Sequence, residues 1–153
     1  MRKQKLWFFG SLIVLLTVIV LLLTASNLLT FSLSDDPYIP LGTFITWAGI
    51  IAFPLTIYWG MDNWRKPVGR AERILSSLLK FQIVLATLWL PICFALSGNM
   101  AFTFVEKENF QGGQSAMRLF WYFNYFMGVA PLFLLLAYWF KWFISRRETQ
   151  SGK

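Results

Sequence analysis

The sequence predicts an all-α, polytopic membrane protein, a four-transmembrane-helix bundle with its N and C termini in the cytoplasm. Hydrophobic residues make up 57% of the 153 residues, more than an ordinary soluble domain contains. Four apolar stretches are long enough to cross a hydrocarbon core of about 30 Å at about 1.5 Å rise per residue. They lie at about residues 6–31, 41–60, 74–97 and 119–140 of a single domain that covers residues 1–153.

The basic residues predict the orientation of these helices. Eleven of the 14 Lys and Arg fall on one side if the helices alternate, in the head (2–5), the loop between helices two and three (65–73) and the tail (141–153). Cytoplasmic loops of membrane proteins are enriched in Lys and Arg in this way. We therefore expect the cell inner (plasma) membrane and no nucleic-acid partner. Binding of lipid head groups by the middle loop is an alternative use of the same charges.

The first apolar stretch follows a basic head, as in a signal peptide. Its run of about 25 residues is longer than the 7–15 residues typical of a signal core, so we interpret it as a retained helix. Gly10, Thr17 and Thr24 recur every seven residues, which predicts a face packed against the bundle. A short turn rich in Pro and Asp (32–40) then leads to helix two.

Helix two, residues 41–60, carries no charge, and we expect it to be the central helix. Its small or weakly polar residues recur in steps of three and four and so share one helical face. In lipid, small residues usually mark the face at which helices pack closely. We therefore predict a partner-binding role for four of them: Gly42, Thr46, Gly49 and Thr56.

Helix three contains Lys80, the only formal charge within a predicted span. A lysine about two turns from the helix end is able to snorkel to the interface. The alternative is a buried cation that faces a partner or an ion path. Gln82 points about 200° away from Lys80 around the helix, so the two side chains are not an obvious pair.

The loop of residues 98–118 is the longest on the outer side. Phe102, Phe104 and Glu106 share one parity, which is typical of a short strand or an interfacial segment. Loops carry recognition more often than packed helices do, so we predict these three residues as partner contacts. In helix four we predict a packing face that includes Asn124 as a further contact, with Gly128, Pro131, Leu135 and Tyr138.

The residue types argue against an enzyme and predict no cofactor and no metal site. The chain has no histidine and a single cysteine, Cys93, so Ser–His and Cys–His pairs are excluded. No two carboxylates fall within the spans, and an intramembrane acid relay for ion-driven transport is missing as well.

Contact between proteins is the function that this composition favours. We expect a non-enzymatic integral membrane protein that acts through helix–helix and outer-loop contacts with a membrane partner. Two alternatives stay open: an accessory or assembly subunit of a larger membrane complex, and a small dimeric transporter or channel built on Lys80 and the prolines Pro54, Pro91 and Pro131. Membrane lipids, another membrane protein and a second copy of the chain are the expected partners.

Three local features lead to a family resemblance. Pro40-Leu41-Gly42-Thr43 opens helix two, Pro54 follows fourteen residues later, and Cys93-Phe94 lies near the end of helix three. With its length and basic middle loop, the chain resembles the four-helix inner-membrane immunity proteins that protect bacteria against pore-forming colicins of the colicin A type. The middle loop is shorter than in that family, and the loop before helix four shares no motif with it. The resemblance implies bacteriocin immunity, in which the helices bind the membrane-inserted toxin helices and stop the pore from opening.

Overall fold

The computed structural model describes residues 2–102, 104 and 110–151, and these are mostly helical. In chain order the elements are α1 (Arg2–Leu23), a 3₁₀ turn (Asn27–Leu29), β1 (Ser32–Asp35), β2 (Tyr38–Pro40), α2 (Leu41–Gly60), α3 (Asp62–Arg65), α4 (Arg70–Thr87), α5 (Trp89–Ser97) and α6 (Gly113–Ser151). The all-α prediction is therefore confirmed, with one small antiparallel hairpin added between α1 and α2.

Three described helices are long and apolar enough to cross a bilayer, namely Lys3–Leu23, Leu41–Gly60 and Gly113–Ile144. The pair α4 and α5 adds a fourth span if it is counted as one, although its two parts are bent by 51°. Trp7 of α1 stacks on Trp59 of α2, and Lys141 of α6 pairs with Glu72 of α4. The starts of α1 and α4 therefore lie near the end of α2 and the C-terminal part of α6, at the end of the bundle that carries most of the basic residues, which we call the basic end.

Helix α1 ends earlier than the predicted residue 31. The Thr24 hydroxyl donates to the Val20 carbonyl at 2.8 Å, Ala25 takes a positive φ of 45°, and the Ser26 hydroxyl accepts from Leu28 N–H. Small polar side chains that bond to nearby backbone compete with helix continuation. The chain turns here, and the predicted turn of residues 32–40 forms the hairpin, in which Asp35 pairs with Tyr38.

Helix α2 has the predicted bounds and lies at the centre of the bundle, where it contacts α1, α4 and α6. Gly42, Gly49 and Ala52 are buried along it. A Cβ at Gly42 would lie only 2.5 Å from the Leu29 carbonyl oxygen, and one at Gly49 only 2.6 Å from Val18 Cγ1. The small residues of α2 thus allow the close approach that their spacing predicts.

The predicted third helix is broken at Leu88. Pro91 lacks the N–H that would bond the Thr87 carbonyl, which weakens the helix at this point. The indole N–H of Trp47, from α2, donates instead to the carbonyls of Ala86 at 3.1 Å and Thr87 at 3.2 Å. A side chain of α2 therefore satisfies the backbone groups at the break, as buried backbone in an apolar setting requires.

We expect Trp47→Phe to lower the free energy of unfolding by about 1 kcal/mol, because two carbonyls lose one shared donor while the aromatic bulk stays. Unfolding by a denaturing detergent in mixed micelles measures this. Trp121→Phe, at a more exposed position on α6, is the matched control and should change stability by less than about 0.5 kcal/mol. Equal losses in both variants would contradict the role of Trp47.

Helix α6 is longer than the predicted 119–140, since the helical backbone continues into polar residues beyond the apolar part. Most of its predicted packing face points inward, but Gly128 is exposed and a Cβ there would meet no heavy atom within 4 Å, so this part of the prediction is wrong. Asn124 accepts from the Trp89 indole at 3.0 Å, Pro131 is buried, and Leu135 and Tyr138 pack against Trp64 and its buried neighbours. One core cluster surrounds Trp89 and the other surrounds Trp64.

An ion pair joins α4 and α6 at the basic end. Lys141 Nζ lies 2.7 Å from Glu72 Oε1, and Glu72 also accepts from Val68 N–H at 3.0 Å. The Lys141 hydrogen bond, and then the Val68 hydrogen bond, hold the pKa of Glu72 below its usual value. Glu72 precedes the apolar stretch that begins at Ile74. Because its folded-state pKa is lowered, this contact stabilises the fold above the ordinary carboxylate pKa and is lost as the pH falls through the lowered value.

A cleft between three helices as the candidate functional site

Helix α1 packs mainly against α2, through Val18 on Gly49, and this arrangement leaves a gap between α1 and α6. The gap forms a cleft of about 250 Å³ that is open to the outside of the bundle. Its floor belongs to α2, and its walls belong to α1 and α6. The lining residues are almost all apolar: Leu15, Val18, Ile19, Leu22, Thr46, Gly49, Ile50, Phe53, Met127 and Gly128.

Thr46 is the polar residue in the floor of the cleft. Its hydroxyl oxygen is buried and has no hydrogen-bond partner among the described residues. Thr56, about three turns further along α2, donates instead to the Ala52 carbonyl at 2.8 Å. A hydroxyl without a partner in an apolar setting is unfavourable. Thr46 also lines the cleft, so the cleft is the place from which a polar group would reach this hydroxyl.

Gly128 forms the α6 wall at the same level. A Cβ at Gly128 would meet no heavy atom within 4 Å, in contrast to the tight positions Gly42 and Gly49. Open space beside a glycine lets the backbone of another helix approach closely. The cleft thus has small residues in its floor and in its α6 wall, together with one hydroxyl that has no hydrogen-bond partner among the described residues.

The predicted contact residues of α2 divide between the cleft and the interior. Thr46 and Gly49 line the cleft. Gly42 is buried against the Leu29 carbonyl and the Phe104 ring. Thr56 is partly buried and bonded within its own helix. The sequence predicts one face for these four residues. In the structure some of them pack inside the bundle and others line the cleft.

The predicted outer-loop contacts are placed differently from expectation. Phe102 was predicted to be a surface contact, yet it is only 2% exposed and packs against Trp89 and Phe120, with ring centroids 5.4 and 5.8 Å away. Asn99 Oδ1 accepts from Phe102 N–H at 2.9 Å and so fixes the turn that directs this ring inward. Phe104 lies against Gly42. Glu106 lies outside the described residues.

Lys80 and Asn124 have different surroundings in the fold. Lys80 is exposed on the surface of α4, whereas Gln82 is 2% exposed and donates to Met127 Sδ at 3.3 Å. The opposite directions predicted for Lys80 and Gln82 agree with the structure. Asn124 is an internal residue that joins Trp89 of α5 to its own helix, through the Phe120 carbonyl at 2.8 Å.

The predicted packing face of α1 is wrong. Gly10, Thr17 and Thr24 are exposed, and a Cβ at Gly10 would meet no atom within 4 Å. Val18, buried against Gly49, takes their place. The bulky residue fits because α2 supplies the glycine at this contact, and one small residue at each crossing is sufficient for close packing.

Comparison with known proteins gives no relative: no family model, no curated protein and no solved structure matches the chain. Within the described part of the chain, no three His, Cys, Asp or Glu side chains are grouped so as to hold a metal ion. The cleft must therefore be interpreted from its own geometry.

Proposed function

We propose that this protein is an integral protein of the cell inner membrane that binds a helix of a membrane partner in the cleft between α1, α2 and α6. The α4–α5 pair is taken as one broken span, which gives four spans and puts both termini on one side. The basic residues of the head, middle loop and tail favour the cytoplasm for that side.

The observation that supports binding of a helix is the open space at Gly128 opposite the floor at Thr46 and Gly49. Lipid gives helices no hydrophobic reason to associate, so close packing and hydrogen bonds between helices supply the affinity. A partner helix with its own small residue fits against Gly128, and a polar side chain on it is able to bond Thr46. We therefore propose an apolar transmembrane helix with one polar group as the occupant.

The family resemblance makes a membrane-inserted helix of a pore-forming colicin the partner that we propose first. A toxin helix held in the cleft is no longer free to open a pore. An accessory or assembly subunit would use the same cleft for a resident membrane protein. Neither hypothesis requires a catalytic group.

Protection of bacteria is the direct test of the toxin reading. Cells that express the protein should survive a pore-forming colicin of the colicin A type that kills cells without it. Gly128→Leu should lower the protection at least about tenfold, because its side chain fills the cleft, and a loss of about 1.4 kcal/mol of binding is tenfold. Gly10→Leu makes the same change at an open glycine on the far face of α1 and should protect as well as the unaltered protein.

The outcomes separate the two partner readings. Equal protection by Gly128→Leu and Gly10→Leu would contradict the cleft as the binding site. An absence of protection against every such toxin, with the protein folded in the membrane, would contradict the immunity reading and leave a resident membrane protein as the partner.

A second candidate is transport by a homo-dimer, which the break between α4 and α5 favours, since discontinuous helices form binding sites in many transporters. Lys80, exposed on α4, would then face the second copy. This reading predicts that Lys80→Met eliminates solute flux in vesicles, and flux at the unaltered level would contradict it.

A further inference from the structure

A second, polar pocket lies at the basic end of the bundle. It has a volume of about 210 Å³ and lies between the start of α1 and the junction of α2 with α3. Its lining is mixed in character, with two aromatic rings and four polar or charged side chains: Gln4, Lys5, Phe8, Trp59, Gly60, Asp62 and Arg65. None of these residues lines the cleft between α1, α2 and α6.

Arg65 is the central residue of this pocket. Its side chain is only 12% exposed, and its guanidinium lies 5.5 Å from the centre of the Trp59 ring. Nη2 pairs with a carboxylate oxygen of Asp62, a side chain that is 81% exposed. Nε and Nη1 are buried and have no hydrogen-bond acceptor among the described residues. Buried donors without an acceptor are unfavourable, and those of a permanently charged guanidinium are especially so.

A topology signal alone does not account for this arrangement. Lys66, Arg70 and Arg73 also belong to the basic loop, and all three are exposed, as the role of a topology signal allows. Arg65, in contrast, is covered by an aromatic ring and placed beside Lys5 in a pocket. With Asp62 counted, two positive charges face one negative charge, so the pocket is suited to one further anion.

The hydrogen-bond donors of the pocket, and its level in the membrane, indicate the class of anion. Arginine binds phosphate through directed, charge-assisted hydrogen bonds, and a lysine adds a point charge. Trp59 also stacks on Trp7 at 6.4 Å, and tryptophans are enriched at the level of the lipid head groups. Phosphate groups of anionic lipids are abundant at that level.

We propose that the pocket of Lys5 and Arg65 binds the phosphate of an anionic lipid head group. Nε and Nη1 of Arg65 donate to the phosphate oxygens once the guanidinium turns toward the pocket, while Lys5 balances the remaining charge. This inference depends on the membrane location in the proposed function and is independent of the partner cleft. Gly128→Leu should therefore leave lipid binding unchanged.

Native mass spectrometry of the full-length protein in a neutral detergent tests the proposal, with phosphatidylglycerol as the added lipid. We expect Arg65→Gln to weaken the binding about tenfold, as the loss of a charge-assisted hydrogen bond does. Lys66→Gln removes the same charge from the adjacent exposed position and should weaken it by less than about twofold, because exposed charges contribute little.

Asp62→Asn should strengthen the binding, because it removes the carboxylate that competes for Arg65, and a misfolded variant would not give this gain. Phosphatidylcholine should bind less tightly than phosphatidylglycerol, and inorganic phosphate should not displace the lipid. Equal weakening by Arg65→Gln and Lys66→Gln, equal retention of the two lipids, or displacement of lipid by inorganic phosphate would each overturn the proposal.

Discussion

Phe102→Ala is expected to lower the free energy of unfolding by about 3 kcal/mol, the lower end of the range for buried phenylalanines. The ring is 2% exposed and lies between Trp89 and Phe120, so its removal leaves a cavity that two other rings cannot fill without moving. We expect a loss at the lower end of that range because the unfolded segment stays in contact with lipid. Burying the ring therefore gains less free energy than it would by transfer out of water. Unfolding in mixed micelles by a denaturing detergent measures the loss.

Phe94→Ala provides the matched control for this variant. Phe94 lies on α5 near the same end of the bundle but is 47% exposed, so we expect a change of less than about 0.5 kcal/mol. A loss of stability in Phe102→Ala no larger than in Phe94→Ala would mean that Phe102 is a surface residue, as its place in the sequence suggested.

Gly49→Leu is expected to separate α1 from α2 and to lower the free energy of unfolding by about 2 kcal/mol, as overpacking of a close contact does. Even a Cβ at this position would lie 2.6 Å from Val18 Cγ1, and leucine adds three more carbons. Since α1 is held mainly by α2, its displacement also deforms the cleft. We therefore expect loss of protection in the bacterial assay as well as loss of stability.

Gly10→Leu is the control for this change too, because no atom lies within 4 Å of a Cβ there. Leucine is a better helix former than glycine, so stability should stay the same or rise slightly. A double variant, Gly49→Leu with Val18→Ala, should recover part of the stability, since the shortened side chain makes room. Absence of any recovery would contradict the Val18 contact as the cause.

Much of the helical framework is predictable from local sequence. Helix α2 has the bounds expected from an uncharged run that follows Pro40, and Gly42 and Gly49 are buried as their spacing suggests, whereas Gly60 at its end is exposed. Lys80 and Gln82 face opposite ways, because the helical angle between them is fixed by their separation in sequence. These features depend on periodicity alone.

The remaining features depend on contacts between distant parts of the chain. The inward position of Phe102 requires a turn held by Asn99 and two rings from other helices. Gly10 and Gly49 look alike in sequence, and only the neighbouring helix decides which is packed. The burial of Arg65 is not predicted for a similar reason, although an arginine six residues after Trp59 is a signal for a cation–π contact.

Photo-crosslinking from the wall of the cleft tests the central claim most directly. A photoreactive amino acid replaces Ile19, an exposed residue that lines the cleft, or Ile13, an exposed residue of α1 outside it. In cells exposed to the toxin, the Ile19 position should give one discrete adduct whose attached peptide belongs to a transmembrane helix of the partner, and the Ile13 position should give none. Adducts with lipid alone at both positions would contradict the claim that a partner helix occupies the cleft.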